Sequence, residues 1–260
     1  MMPTPVLSIL LVLVLAAAWW LGIAVLQKRL ALNPEWSRKL LHTGGGLMAL
    51  GLPWLFHSAW PVGVLSAASL LGLLAVKGVP ALRRRVGCVV EGVDRKSCGE
   101  LYFVLATGLL FLLAQGDPLL FTVPMAVLTF ADSAAALVGQ RCGRHRFQAG
   151  GGTKTVEGSV AFFITAFFSA QVGLRVLADR DPAATLLLAL LLALLLALVE
   201  AVAGRGTDNF LIPITGYLLL RVYLGCPAAV LMSHVVTAVS ACVTAMLMRR
   251  FPGRRRTEPD

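Results

Sequence analysis

Charge is scarce in these 260 residues: 14% are Asp, Glu, Lys or Arg, against 58% that are apolar. An ordinary soluble domain carries about 25% charged residues, and here the few charges sit between long apolar runs, which excludes a water-soluble fold. Polar stretches able to build an extramembrane domain are missing too. The longest, about 77 to 98 and the tail after 249, are too short for a core of their own. The five cysteines (Cys88, Cys98, Cys142, Cys226 and Cys242) show no Cys-x-x-Cys pairing and no His at metal spacing, so neither a zinc site nor a disulfide framework is indicated. The net charge of +10, from 23 Lys and Arg against 13 Asp and Glu, would suggest nucleic acid in a soluble protein. In a membrane chain the charge bias of the loops accounts for it, and no nucleic-acid partner is expected.

What the sequence has is hydrophobic length. A transmembrane helix takes about 20 largely apolar residues. On that ruler nine segments stand out: about 5 to 26, 43 to 58, 60 to 77, 99 to 115, 119 to 140, 157 to 178, 183 to 203, 209 to 225 and 227 to 248. The first lacks a basic n-region and is followed by Lys28 and Arg29, as in a retained anchor rather than a cleaved signal. With the N-terminus outside, the loops at 27 to 42, 77 to 98, 140 to 156 and 204 to 208 share one side with the C-terminal tail. That side holds 20 of the 23 Lys and Arg, leaving Arg175, Arg180 and Arg221 for the other. The positive-inside rule then makes it cytoplasmic. The expected fold is all-α: a polytopic, multi-pass transmembrane helical bundle of about nine spans with a cytoplasmic C-terminus. An anchor helix and basic loop occupy 1–34, a membrane-embedded catalytic domain 35–248 and a basic cytoplasmic tail 249–260.

An ionisable group in an apolar span costs about 2.5 to 3.5 kcal/mol on insertion scales, so it needs a partner or a purpose. Glu100, Asp132, Glu157, Glu200 and Asp208 gather at the cytoplasmic ends of the fourth to eighth segments, interleaved with Arg38, Lys39, His42 and Lys154. Carboxylates among cations are what a magnesium-bound polyphosphate requires. The small residues Ala135, Ala136, Gly139 and Gly143 recur near Asp132 at helical spacing, which would let another backbone or a ligand approach. After them comes Gly150-Gly-Gly-Thr-Lys-Thr-Val-Glu-Gly158, a glycine-rich stretch that leads into a helix N-terminus, where free N–H groups favour an anion. It is not a Walker A loop, because Thr153 rather than Gly precedes Lys154 and a membrane helix lies upstream.

Plainer readings stand beside these. Asp132 would also suit a packing acid paired to an Arg, the glycines a flexible loop, and Arg38, Lys39 and His42 a snorkelling basic belt. Arg83, Arg84, Arg85 and the tail Arg254 to Arg256 read as orientation determinants and anionic-lipid contacts. His57, Asp117, Asp179, Asp181 and Arg221 map to the opposite rim as solvated groups, and His234 to the last helix as a satisfied packing residue.

Taken in order, Arg38-Lys-Leu-Leu-His42, Gly99-Glu-Leu-Tyr-Phe103, Asp132-Ser-Ala-Ala-Ala-Leu-Val-Gly139 with Gly143, Thr153-Lys-Thr-Val-Glu-Gly-Ser159, Glu200 and Asp208-Asn-Phe-Leu-Ile-Pro213 resemble the CTP-dependent lipid-alcohol kinases. These are the phytol and farnesol kinases, dolichol kinase and the yeast-type diacylglycerol kinase; the likeness runs from about 35 to 215. It implies a polytopic enzyme that moves the γ-phosphate of CTP to a lipid hydroxyl, with the Lys-Thr-Val-Glu-Gly stretch near the nucleotide. The related CDP-diacylglycerol synthases share the Asp-containing helix and lysine loop. Their C-terminal His-Gly-Gly and Asp-Arg signature is replaced here by Gly204-Arg-Gly-Thr-Asp-Asn209 and Pro213, which favours kinase over phosphatidate cytidylyltransferase.

On this reading Lys154 and the backbone of Gly151, Gly152, Thr153 and Thr155, with Gly158 nearby, hold the phosphates of CTP, and Arg38, Lys39 and His42 add positive charge. Asp132, Glu157 and Asp208 hold magnesium (Mg2+), directly or through water. Asp132, Lys154, Glu100 and Glu200 are the catalytic candidates, Glu100 or Glu200 taking the proton of a lipid alcohol that arrives sideways from the phospholipid bilayer. A transporter is the less favoured alternative, since the acids gather at one face and no paired repeat with broken helices is seen. An acyl or prenyl transferase would not need the glycine-lysine stretch.

Overall fold

The computed structural model describes residues 4–80, 98–150 and 152–250. Among these residues ten helices and one hairpin follow in order: α1 (Pro5–Leu30), α2 (Pro34–Leu50), α3 (Leu52–Leu55), α4 (Ala59–Gly78), α5 (Gly99–Ala114), α6 (Pro118–Cys142), β1 (Arg146–Ala149), β2 (Gly152–Thr155), α7 (Val156–Leu177), α8 (Pro182–Val202), α9 (Asp208–Tyr223) and α10 (Ala228–Arg250). The basic cluster Arg83 to Arg85, Cys88 and the tail Arg254 to Arg256 lie outside the described residues.

Helix starts follow from local chemistry. Asn33-Pro34, Asp117-Pro118 and Asp181-Pro182 each set a side-chain acceptor before a proline whose missing N–H costs nothing at the first turn. Asn33 accepts from the amide of Glu35, Asp117 from Leu119 and Asp181 from Ala184, at 2.9, 2.9 and 2.8 Å. Asp117 and Asp181, read from sequence as merely solvated, are thus caps. His234 lies on the exposed side of α10, its ring edge against Tyr223.

The core is centred on α6, which packs most closely with α7 and also meets α2, α9 and α5. Phe121, Met125 and Leu128 of α6 are fully buried with Phe162 of α7 and Leu188 and Leu192 of α8. Outward, Leu71, Val176, Val202 and Val222 are largely exposed, a surface that suits lipid rather than water. Among the described residues five helices are long and apolar enough to cross a membrane: α1, α4, α6, α7 and α8. Helix α5 and the Ala228–Thr244 part of α10 are shorter apolar helices.

The protein is a membrane-type, predominantly helical chain, but two expectations are corrected. The segment expected at 43 to 58 begins instead at Pro34 and breaks at Gly51 into α2 and the four-residue α3, so Arg38, Lys39 and His42 stand on a helix and not in a loop. The glycine-rich stretch is not a loop but runs through the turn and second strand of a short antiparallel hairpin that pairs Phe147 with Lys154 and Ala149 with Gly152, set within an otherwise all-α fold.

Candidate active site

Two buried ion pairs organise the end of the bundle where the hairpin sits. Helix α2 carries Lys39 and His42 three residues apart on one face, opposite Asp132 of α6. Lys39 Nζ lies 2.6 Å from Asp132 Oδ2, with the two side chains 8% and 12% exposed. His42 Nε2 lies 3.5 Å from the same oxygen, its ring edge against Phe103. One residue further along each helix, the hydroxyls of Thr43 and Ser133 meet at 2.9 Å. Arg38 turns to Glu35 instead, at 2.5 Å.

The second pair belongs to the hairpin and α8. Lys154 Nζ lies 2.6 Å from Glu200 Oε1 and also donates to the Glu200 carbonyl. Ser159 donates to Glu200 Oε2 at 3.2 Å, so both carboxylate oxygens are engaged. Asp208 Oδ2 is 4.0 Å from Lys154 Nζ. Asp208 is the first residue of α9, ahead of its apolar run. Asn209 donates to the Gly99 carbonyl at 2.9 Å. That bond ties the starts of α9 and α5, bringing Glu100 to the same end, where Lys77 approaches it at 3.4 Å.

Glycines set where Lys154 stands. Helices α6 and α7 cross at Gly139 and Gly158: a Cβ on Gly158 would meet the Ala135 carbonyl oxygen at 2.9 Å and Gly139 Cα at 3.4 Å. The small-residue pattern beside Asp132 therefore does let another backbone approach. At the hairpin turn Gly150 has a positive φ of 54° and rests on Gly204, where a Cβ on either would strike backbone. The hairpin tip is thereby seated on the turn that follows α8, beside Glu200.

Of the residues singled out from sequence, Arg38, Lys39, His42, Glu100, Asp132 and Glu200 line one cavity of about 1440 Å³. Gly152, Thr153, Lys154, Thr155, Gly158 and Asp208 line it as well. Gly151 lies outside the described residues. Glu157 is not brought to the cavity: its Oε1 lies 2.7 Å from His145 Nδ1, and the His145 amide donates to the same carboxylate. Among the described residues no three His, Cys, Asp or Glu side chains gather to hold a metal ion. Nor is the α7 N-terminus an open row of donors, because the Val156 amide bonds the His145 carbonyl and the Gly158 amide bonds Thr155 Oγ1.

Three contributors were missed in the sequence. Ser159 and Asn209 sit inside the motifs quoted above, one residue after Gly158 and Asp208, and their polarity beside an apolar run was the available signal. Helix α1, expected to be an anchor, also forms a wall of the cavity through Val12, Leu13, Ala16, Ala17 and Trp20. Its composition gave no signal, because lipid-facing and cavity-facing apolar residues look alike.

No protein-family profile matches the chain, and no solved structure matches it. Over 212 residues it is 32% identical to a phytol kinase from Synechocystis sp., an alignment that covers 78% of this chain and 88% of that protein. At that identity and over that share of both proteins, the chain belongs to the phytol kinase family.

Proposed function

We propose that this protein is a membrane-embedded kinase that transfers the γ-phosphate of CTP to the hydroxyl of a lipid alcohol at the cytoplasmic face. Phytol is the first candidate acceptor, ahead of other isoprenoids, polyprenols and diacylglycerol. The observation that carries the reading is one cavity joining two chemistries: Lys39, Asp132, Lys154, Glu200 and Asp208 at one end, apolar side chains of α1, α2 and α4 at the other. A phosphate and a hydrocarbon tail need those two environments side by side. The likeness to a phytol kinase supports the same reading. The nine-span topology with an outside N-terminus, and with it the cytoplasmic face, is supported by the concentration of basic residues in alternate loops.

Lys154 and Lys39 are the cations that the phosphates would meet, and each is held by a carboxylate in the resting arrangement. Glu200, with both oxygens engaged, serves to aim Lys154. Glu100 lines the cavity with one looser partner among the described residues, Lys77 at 3.4 Å, and is the group to accept the proton of the alcohol. The residues present fit magnesium, which is commonly bound by one or two carboxylates together with substrate phosphates. Asp132 and Asp208 would hold it; Glu157, turned to His145, would not. Once bound, the ion neutralises charge on the transferring group, and the protein's share is positioning.

The test uses purified protein in detergent with magnesium and CTP labelled at the α or the γ phosphorus, offered phytol, farnesol, a long polyprenol, diacylglycerol and phosphatidic acid in turn. Transfer of γ-label to an alcohol is the expected result. Transfer of α-label to phosphatidic acid would establish the cytidylyltransferase instead. No transfer in folded protein would shift the reading to transport or to another lipid transferase.

A further inference from the structure

Two side-chain hydrogen bonds join α5 to α9. Asn209 Nδ2 donates to the Gly99 carbonyl at 2.9 Å, and Tyr217 Oη donates to the Leu113 carbonyl at 3.0 Å. Both bonds advance the same way along both helices, so α5 and α9 run parallel and start at one end. Glu100 follows Gly99 there, Asp208 precedes Asn209, and both carboxylates line the cavity. Apolar packing does not by itself fix how the two starts line up. Ala106 and Leu110 of α5 and Ile212 and Leu220 of α9 are fully buried, but hydrophobic burial is non-directional. A buried polar side chain does discriminate, because a shifted register leaves its donors unpaired. Asn209 is 7% exposed, and Gly99 is buried with it. The main-chain amide of Asn209 also donates to Asp208 Oδ1 at 3.1 Å. One residue therefore touches both the acid that opens α9 and the first turn of the helix that carries Glu100. The Tyr217 bond lies about 12 Å further along α9 by the helical rise, away from both carboxylates.

We propose that Asn209 is a positioning residue for phosphate transfer: it fixes the register of α5 on α9 and so sets Glu100, the proton acceptor, against Asp208 and the transferring group. The roles of Glu100 and Asp208 are those of the kinase reading, on which this inference rests. A misplacement of about 1 Å in such a constellation costs about 100-fold in rate. Binding of CTP does not depend on where Glu100 stands, so the loss falls on kcat and not on the KM for CTP.

The experiment compares Asn209→Leu with Tyr217→Phe, variants that each remove one bond between the same pair of helices. Both are expected to lower the unfolding midpoint in detergent. Asn209→Leu alone is expected to lower kcat by at least about 10-fold with the KM for CTP unchanged, and to speed hydrogen exchange in the peptide 99–105. Tyr217→Phe leaves kcat and that exchange as in the wild type. Asn209→Asp, which keeps size and polarity but has no side-chain N–H, repeats the kcat loss and serves where the leucine variant does not fold. Equal kcat effects of Asn209→Leu and Tyr217→Phe overturn the proposal by making Asn209 purely structural. A raised KM for CTP at unchanged kcat overturns it by making Asn209 a nucleotide contact, and unchanged exchange at 99–105 overturns it too. If the wild type transfers no phosphate while Asn209→Leu speeds that exchange, the register role stands and the kinase reading falls; transfer by the wild type with kcat unmoved in Asn209→Leu does the reverse.

Discussion

Replacing Lys39 by Met keeps the stem of the side chain against its neighbours and removes the ammonium that lies 2.6 Å from Asp132. The carboxylate, 12% exposed, then faces His42 at 3.5 Å with its closest cation gone. Breaking a buried pair from one side costs about 3 to 5 kcal/mol, because the remaining charge is buried without compensation. Asp132→Leu strands the ammonium and costs a similar amount. The double variant Lys39→Met with Asp132→Leu strands neither charge, so its cost is expected to fall short of the sum by about 2 to 3 kcal/mol. The assay is an SDS titration in mixed micelles, followed by circular dichroism, on the wild type and all three variants. Turnover is measured alongside and is lost in all three, so recovered stability without recovered activity separates the two roles. Additive costs, or single costs below about 1 kcal/mol as for exposed pairs, would refute the reasoning, since they would mean that water reaches the pair.

Asp132→Asn and Lys154→Ala are expected to abolish turnover while the protein still extracts as a folded species; ordinary activity in both, by labelled-phosphate transfer, would remove the site. Asp208→Asn should raise the magnesium concentration for half-maximal turnover by at least about 10-fold, whereas Glu157→Gln leaves it unchanged; the opposite order in a metal titration after chelation would return Glu157 to the metal set. Gly158→Ala forces a methyl against the Ala135 carbonyl oxygen at 2.9 Å and should cost about 1 to 3 kcal/mol as overpacking. An unchanged unfolding midpoint would mean that α6 and α7 do not cross there.

Much of the fold was legible because membrane helices declare themselves by length, while the capping signals at their starts were present but were read as solvated groups. The expected limits of α4 to α10 fall within two residues of those observed, and Asp117-Pro118 and Asp181-Pro182 mark two of the starts outright. Helix α2 was not legible as far as Pro34, because Glu35, Arg38, Lys39 and three glycines dilute its hydropathy; what holds it is packing against α1 and α6. The hairpin was hidden for a related reason. Arg146–Ala149 does alternate polar with apolar residues, but over four residues only, and its partner Gly152–Thr155 does not alternate, so the period-two signal of a strand is short and one-sided. The turn at Gly150 also pointed to it, but an anion-binding loop asks for the same glycines.

The site was legible as a list and not as a pattern of partners, for a physical reason. Hydropathy marks Asp132 and Glu200 as costly in or at the rim of their spans, and Lys39 and Lys154 stood out as cations interleaved with such acids. It is silent on which charge offsets which, since Lys39 and Asp132 are 93 residues apart and Lys154 and Glu200 are 46 apart. Glu157 was grouped with Asp132 and Asp208 as a magnesium ligand, but the strand-to-helix junction after Lys154 sends Lys154 to Glu200 and Glu157 back across the hairpin to His145. Partner choice in turn fixes what each group can do. A carboxylate with both oxygens engaged, like Glu200, holds a lysine in place, whereas one facing the cavity with one looser partner among the described residues, like Glu100, keeps acceptor capacity for a proton. Residue type alone gave these two glutamates one description; the number of donors around each gives them two.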